Sequence, residues 1–206
     1  MNTFLIITLF ILWVGVVAFL RYSRSWLPFY VLGAVGCAYW LILVFSNLFS
    51  LEPFLAHSVA WMVHVVSNLV GIPTRIFEGA PGVLLVLVIF QDVGWTVLQV
   101  GIESSGLLEI SVLVSLLLFY PGWSISRRMK MIALGGLAMW CANIIRMLVI
   151  VVMLNQFGKE ALVLAHMYIG KAVFFVLVIA IFWTLITRTT LRDLYRKKTP
   201  IQPVVS

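Results

Sequence analysis

The chain has 206 residues, of which 63% are hydrophobic and 10% charged, and its mean hydropathy is +1.13. That is too little charge to clothe a water-soluble domain. The net charge of +7 is no nucleic-acid footprint, because the basic residues stand in short clusters between apolar runs, the pattern that orients membrane helices. The class that remains is an all-α integral membrane protein, a single membrane domain over residues 1–206. About five spanning helices are expected, with an interfacial or re-entrant helix and a short extracytoplasmic β-hairpin.

The first apolar run, Thr3 to Leu20, has no basic residue before it and is followed by Arg21 and Arg24. A secretory signal carries its charge in front and ends at a small-residue cleavage site. The run is therefore expected to be an uncleaved span that ends in the cytoplasm. Pro28 to Phe49 returns outward. Further on, Ser105 to Tyr120 leads into Arg127, Arg128 and Lys130, Met131 to Leu154 leads out to Asn155–Glu160, and Leu162 to Ile186 leads into Arg188, Arg192, Arg196, Lys197 and Lys198. Ten of the fourteen basic residues then share one side with Asp193, while Glu52, Glu78, Asp92, Glu103 and Glu160 lie on or near the other. The bias predicts a multi-pass plasma-membrane protein with its N-terminus outside and a basic cytoplasmic tail over residues 189–206.

Pro53 to Ile72 is long enough to span, yet His57, His64 and Asn68 are distributed along it. After it, Val83 to Phe90 and Trp95 to Ile102 are two β-branched runs about Gln91-Asp92-Val93-Gly94, the pattern of a hairpin. Open strand edges are not tolerated in lipid. The hairpin is therefore placed outside, packed on the helices, with residues 53–72 as an interfacial or re-entrant helix. His57 and His64 are seven apart on one helix face, where packing is favoured over metal binding. Cys37 and Cys141 have no metal-ligand spacing, and no metal or organic cofactor is expected.

Arg146 interrupts the fourth apolar run roughly 22 Å along the helix from its cytoplasmic start. An arginine near mid-bilayer costs about 2.5–3.5 kcal/mol on insertion scales, so it is expected to face the bundle interior, water or a partner. Asn143, three residues earlier, shares its face. His166 lies near the outer end of the last run, one turn before Gly170 and Lys171. Glu103-Ser104-Ser105-Gly106 opens the third span, where serine and an acid are also ordinary helix-start residues. Ser104, Arg146 and His166 thus come from three spans to one outer level. A hydroxyl, a fixed cation and a titratable base are the inventory for acyl transfer. Glu109, deeper in the third span, is a candidate partner for Arg146.

These residues carry a resemblance to the exosortase/archaeosortase family of membrane-embedded cysteine transpeptidases. The likeness covers about residues 71–188, the expected core. Gly71-Ile72-Pro73-Thr74-Arg75 resembles the element before the family's extracytoplasmic hairpin. Glu103-Ser104-Ser105-Gly106-Leu107 resembles its acid-Cys-Ser/Thr-Gly-aliphatic motif, with serine in the cysteine position. Asn143-Ile144-Ile145-Arg146 resembles its Asn-x-x-Arg motif, and His166-Met167-Tyr168-Ile169-Gly170 its third element. The brevity of the chain is most similar to the Gram-positive exosortase-like branch.

The resemblance implies a protease/transpeptidase that processes exported proteins ending in a short motif, a spanning helix and a basic cluster. The new carboxyl end would pass to an acceptor that the sequence does not name. Ser104 would take the nucleophile position, Arg146 would stabilise the oxyanion and His166 would move protons, with Glu103, Asn143, Gly106 and Gly170 in support. The serine leaves three alternatives open: a working variant, a member that binds without cutting, or a substituted cysteine. Serine needs a base held in reach, whereas cysteine needs little activation.

Overall fold

The computed structural model describes residues 3–47, 51–77, 85–91, 94–100, 105–120 and 123–191. Its elements are α1 (Thr3–Tyr22), α2 (Trp26–Asn47), α3 (Leu51–Leu69), β1 (Thr74–Phe77), β2 (Leu85–Gln91), β3 (Gly94–Val100), α4 (Leu107–Phe119) and α5 (Ile125–Phe157). A 3-10 turn (Lys159–Ala161), a π-helical turn (Leu164–Ile169), α6 (Gly170–Phe182) and a second π turn (Trp183–Thr187) complete the described chain.

Among the described residues, four apolar stretches are long enough to cross a membrane: α1, α2, α5 and the run Lys159–Leu191. α4, expected as a span, is a helix of 13 residues. At 1.5 Å per residue it covers about 20 Å, short of a hydrocarbon core about 30 Å thick. Two π turns interrupt the last run.

Small residues let the first helices approach closely, as they do where lipid offers no hydrophobic drive between helices. A Cβ at Gly36 would overlap the Trp13 indole, and one at Gly33 would overlap the Phe119 ring. Trp13 Nε1–H donates to the Leu32 carbonyl at 3.0 Å, which seats α1 on α2. A Gly36→Leu substitution should expel Trp13 and cost about 1–3 kcal/mol, the usual penalty for overpacking. Gly15→Leu is the control, because nothing lies within 4 Å of a Cβ there. Thermal unfolding in detergent should separate the two variants.

α4, α5 and α6 share one core, in which Leu113, Leu117, Trp123 and Met139 are buried. The turn between α4 and α5 is tied by charge and polar contacts. Arg128 Nη1 donates to the Leu118 carbonyl at 2.8 Å, placing a cation at the negative end of α4. Ser124 Oγ accepts the Arg127 N–H at 3.4 Å and caps α5. The Tyr120 hydroxyl bonds Thr190 Oγ1, fastening this turn to the end of the last helix.

A second core lies towards the other end of α5. Ala56, Val59, Ala60 and Val63 of α3 pack with Met147, Ile150, Val151 and Leu154 of α5 and with Leu87, Ile89 and Leu98 of the sheet. The 3-4 spacing of the α3 residues is one helical stripe. The expected hairpin is present, with β2 and β3 antiparallel and Gln91 opposite Gly94. It is not alone, however: β1 pairs antiparallel with the other edge of β2, giving a three-stranded sheet in the order β1-β2-β3.

The entry to β1 follows from one glycine. Gly71 has φ +84, its N–H bonds the Asn68 carbonyl, and the Ile72 N–H bonds the Ser67 carbonyl at 2.9 Å. This paired helix ending stops α3 at Leu69, short of the expected Ile72. Beyond it, His64 Nδ1 lies 2.8 Å from Thr74 Oγ1, and the Thr74 N–H donates to Asn68 Oδ1 at 3.3 Å. His64 and Asn68 therefore clamp the first residue of β1 to α3. Thr74→Val should remove the hydroxyl arm of that clamp and lower stability by about 1 kcal/mol, read as a fall in the thermal midpoint.

Candidate functional site

The start of α4 is built on Ser105 and Gly106. Ser105 is buried, and its Oγ accepts the Leu107 N–H at 3.2 Å, supplying a partner for a helix-start amide. Gly106 follows with φ +77, the left-handed region that disfavours a side chain. A Cβ on Gly106 would stand 3.3 Å from Asn143 Nδ2. Glycine is thus required both by the backbone and by the asparagine lying against it. Gly106→Ala should cost about 1–2 kcal/mol from backbone strain alone. It should also push Asn143 aside, which a Gly106→Ala/Asn143→Ala pair tests by recovering part of the loss. Glu103 and Ser104 lie outside the described residues.

Asn143 is 1% exposed and Arg146 4%, although both interrupt an apolar helix. They sit three residues apart on the buried face of α5. The Arg146 guanidinium carbon lies 5.3 Å from the centroid of the Phe174 ring on α6, within cation–π range. Arg146 forms part of a cleft of about 410 Å³ between α4, α5 and α6. The first turn of α4 contributes Leu108 and Glu109, and α6 contributes Lys171, Phe174, Phe175 and Val178. Glu109, expected as a possible partner of Arg146, thus shares a cavity wall with it.

Close approaches fix the register of the three helices. A Cβ on Gly135 would stand 2.6 Å from Leu113 Cδ2 of α4 and 3.0 Å from Leu185 Cδ1 of the last run. A Cβ on Gly170 would stand 2.8 Å from Ile150 Cδ1. Along antiparallel α5 and α6, therefore, Gly135 meets Leu185, Arg146 meets Phe174 and Ile150 meets Gly170. His166 belongs to the π turn Leu164–Ile169 and does not line the cleft.

Of the residues selected from sequence, the structure brings Gly106, Asn143 and Arg146 together and places Gly170 one helical turn above Phe174. His166 lies in the π turn that precedes α6, away from the cleft wall. Lys171, Phe174 and Phe175 complete the cleft wall and were not selected as site residues. Their signal was faint: Phe174 is one turn from Gly170, but a helical spacing does not reveal which neighbour it faces. Among the described residues, no group of three His, Cys, Asp or Glu side chains is placed to hold a metal ion. Comparison with protein-family models, with curated proteins and with solved structures finds nothing that matches this chain.

Proposed function

We propose that the chain is a membrane-embedded sorting protease/transpeptidase of exosortase type, acting by acyl transfer at the extracytoplasmic face. The observation that carries this reading is the apposition of two motif elements from separate helices. Gly106, at the head of α4, lies against Asn143, and Arg146 faces the adjoining cleft one turn further on. In the proposed topology α4 completes five crossings, with the N-terminus outside and the C-terminus in the cytoplasm.

The chemistry follows from the groups. The Ser104 hydroxyl adds to the scissile carbonyl while His166 takes its proton. The Arg146 guanidinium offsets the negative charge on the tetrahedral oxygen, in surroundings that strengthen such an interaction. The C–N bond then breaks, the leaving amine takes the proton from His166, and an acyl ester remains on Ser104. An acceptor nucleophile, or water, releases the carboxyl end. The substrate is an exported protein with a C-terminal motif, a spanning helix and a basic cluster, the last held at the cytoplasmic surface.

Ser104→Ala should abolish processing of such a tail in membranes, and Ser104→Cys should retain or raise it. Processing by the alanine variant at the level of the parent would remove Ser104 from the nucleophile role. The serine in the cysteine position also favours a second reading, an escort protein that binds the same tail without cutting it. Trapping an acyl ester on Ser104, detected as a mass increase on the peptide that contains it, eliminates that reading.

A further inference from the structure

The cleft between α4, α5 and α6 carries more than an arginine. Its wall holds one carboxylate, Glu109, and two cations, Arg146 and Lys171, so that one positive charge is in formal excess. Both α4 residues in the wall belong to the first helical turn, where the helix dipole adds further positive potential. The remaining wall is apolar and aromatic, from Phe174, Phe175 and Val178. Its volume of about 410 Å³ lies within the range of small-molecule sites.

The outer side of α6 decides how a ligand reaches this space. Phe175 and Val176 are each 64% exposed and Ile179 is 50% exposed, forming an apolar face on a helix long enough to span. In a membrane that face is covered by hydrocarbon chains. The cleft therefore opens where lipid lies, and a ligand arriving there is membrane-borne. One excess positive charge matches a head group with one net negative charge. A zwitterionic head group leaves that excess uncompensated.

We propose that this cleft is a lateral binding site for an anionic phospholipid. Its phosphodiester lies between Arg146 and Lys171, and its acyl chains lie along Phe175 and Val178. Buried Arg146 is the fixed anchor, while exposed Lys171 closes over the head group from the rim. The proposal stands on the cleft and does not require Ser104 to react.

The test uses the full chain in phosphatidylcholine nanodiscs with a Phe175→Trp reporter. Quenching by dibrominated phosphatidylglycerol is compared with quenching by dibrominated phosphatidylcholine, with the parent protein subtracted. Phosphatidylglycerol should be preferred by about fivefold, the worth of one lysine at an anionic lipid surface. Lys171→Gln should bring the ratio to about one, and Lys171→Arg should keep most of it. Equal quenching by the two lipids overturns the proposal, as does a preference that survives Lys171→Gln. Displacement of the brominated lipid by millimolar inorganic phosphate would assign the site to a free anion and also overturn it. A lipid preference in a protein that forms no acyl ester would leave this site standing and remove the acyl-transfer reading; the converse result would do the reverse.

Discussion

On the acyl-transfer reading, Arg146→Met should lower tail processing by about 10²- to 10³-fold, the scale seen when a single oxyanion donor is removed. Arg146→Lys should recover little of this, because an ammonium keeps the charge but lacks the planar fork and its fit over an aromatic face. In this protein that face is Phe174, 5.3 Å from the guanidinium carbon. Loss of activity alone would also follow from misfolding, so the stability readout matters. Arg146 and Glu109 line one cavity, and removing one of two opposite charges that share a cavity leaves the other poorly compensated. Arg146→Met is therefore expected to lower stability by about 1–3 kcal/mol, and adding Glu109→Gln should restore part of that loss. Processing should remain absent in the double variant. Recovery of processing together with stability would show that Arg146 only holds the helices together, and the acyl-transfer reading would fall.

The apolar runs of α1, α2 and α5 were legible because a bilayer demands length and composition before anything else. The antiparallel pairing of β2 with β3 was legible because polar residues and a glycine separate two β-branched runs. β1 was not, since Thr74–Phe77 is four residues long and its pairing partner is the later strand β2. The π turns left no mark in composition, because an i→i+5 hydrogen bond changes geometry without changing which residues are apolar. Arg146 announced itself through the energetic cost of a charge in an apolar run. The wall opposite it did not, because helical periodicity identifies a face but not the helix that meets it. Lys171 was noted only as the residue after Gly170, and the packing of Gly170 on Ile150 turns α6 so that Lys171 and Phe174 border the same cavity as Arg146.

Gly170→Leu should be the most destabilising substitution in the last run, and Gly170→Ala should be measurably destabilising too. Two neighbours crowd this position: a Cβ would stand 2.8 Å from Ile150 Cδ1 and 3.0 Å from the Ala165 carbonyl oxygen. The side-chain contact can be relieved, but the backbone contact is fixed by the π turn, in which the Gly170 N–H bonds that same carbonyl. Ile150 is fully buried against α3 and the sheet, so it has little room to retreat. Leucine is expected to cost about 3 kcal/mol and alanine about 1 kcal/mol, by overpacking. Ile150→Val removes the crowding methyl group and should rescue Gly170→Ala in part, while leaving Gly170→Leu unfolded at lower temperature than the parent. Thermal unfolding of the two Gly170 variants, of Ile150→Val and of the two pairs in one detergent measures the coupling. If Gly170→Ala leaves Arg146-dependent processing intact while shifting the unfolding midpoint, the close contact serves stability alone. If processing falls more than stability does, the packing of Gly170 on Ile150 sets the distance between α5 and α6 on which the cleft depends, and the π turn that carries His166 is the element that fixes it.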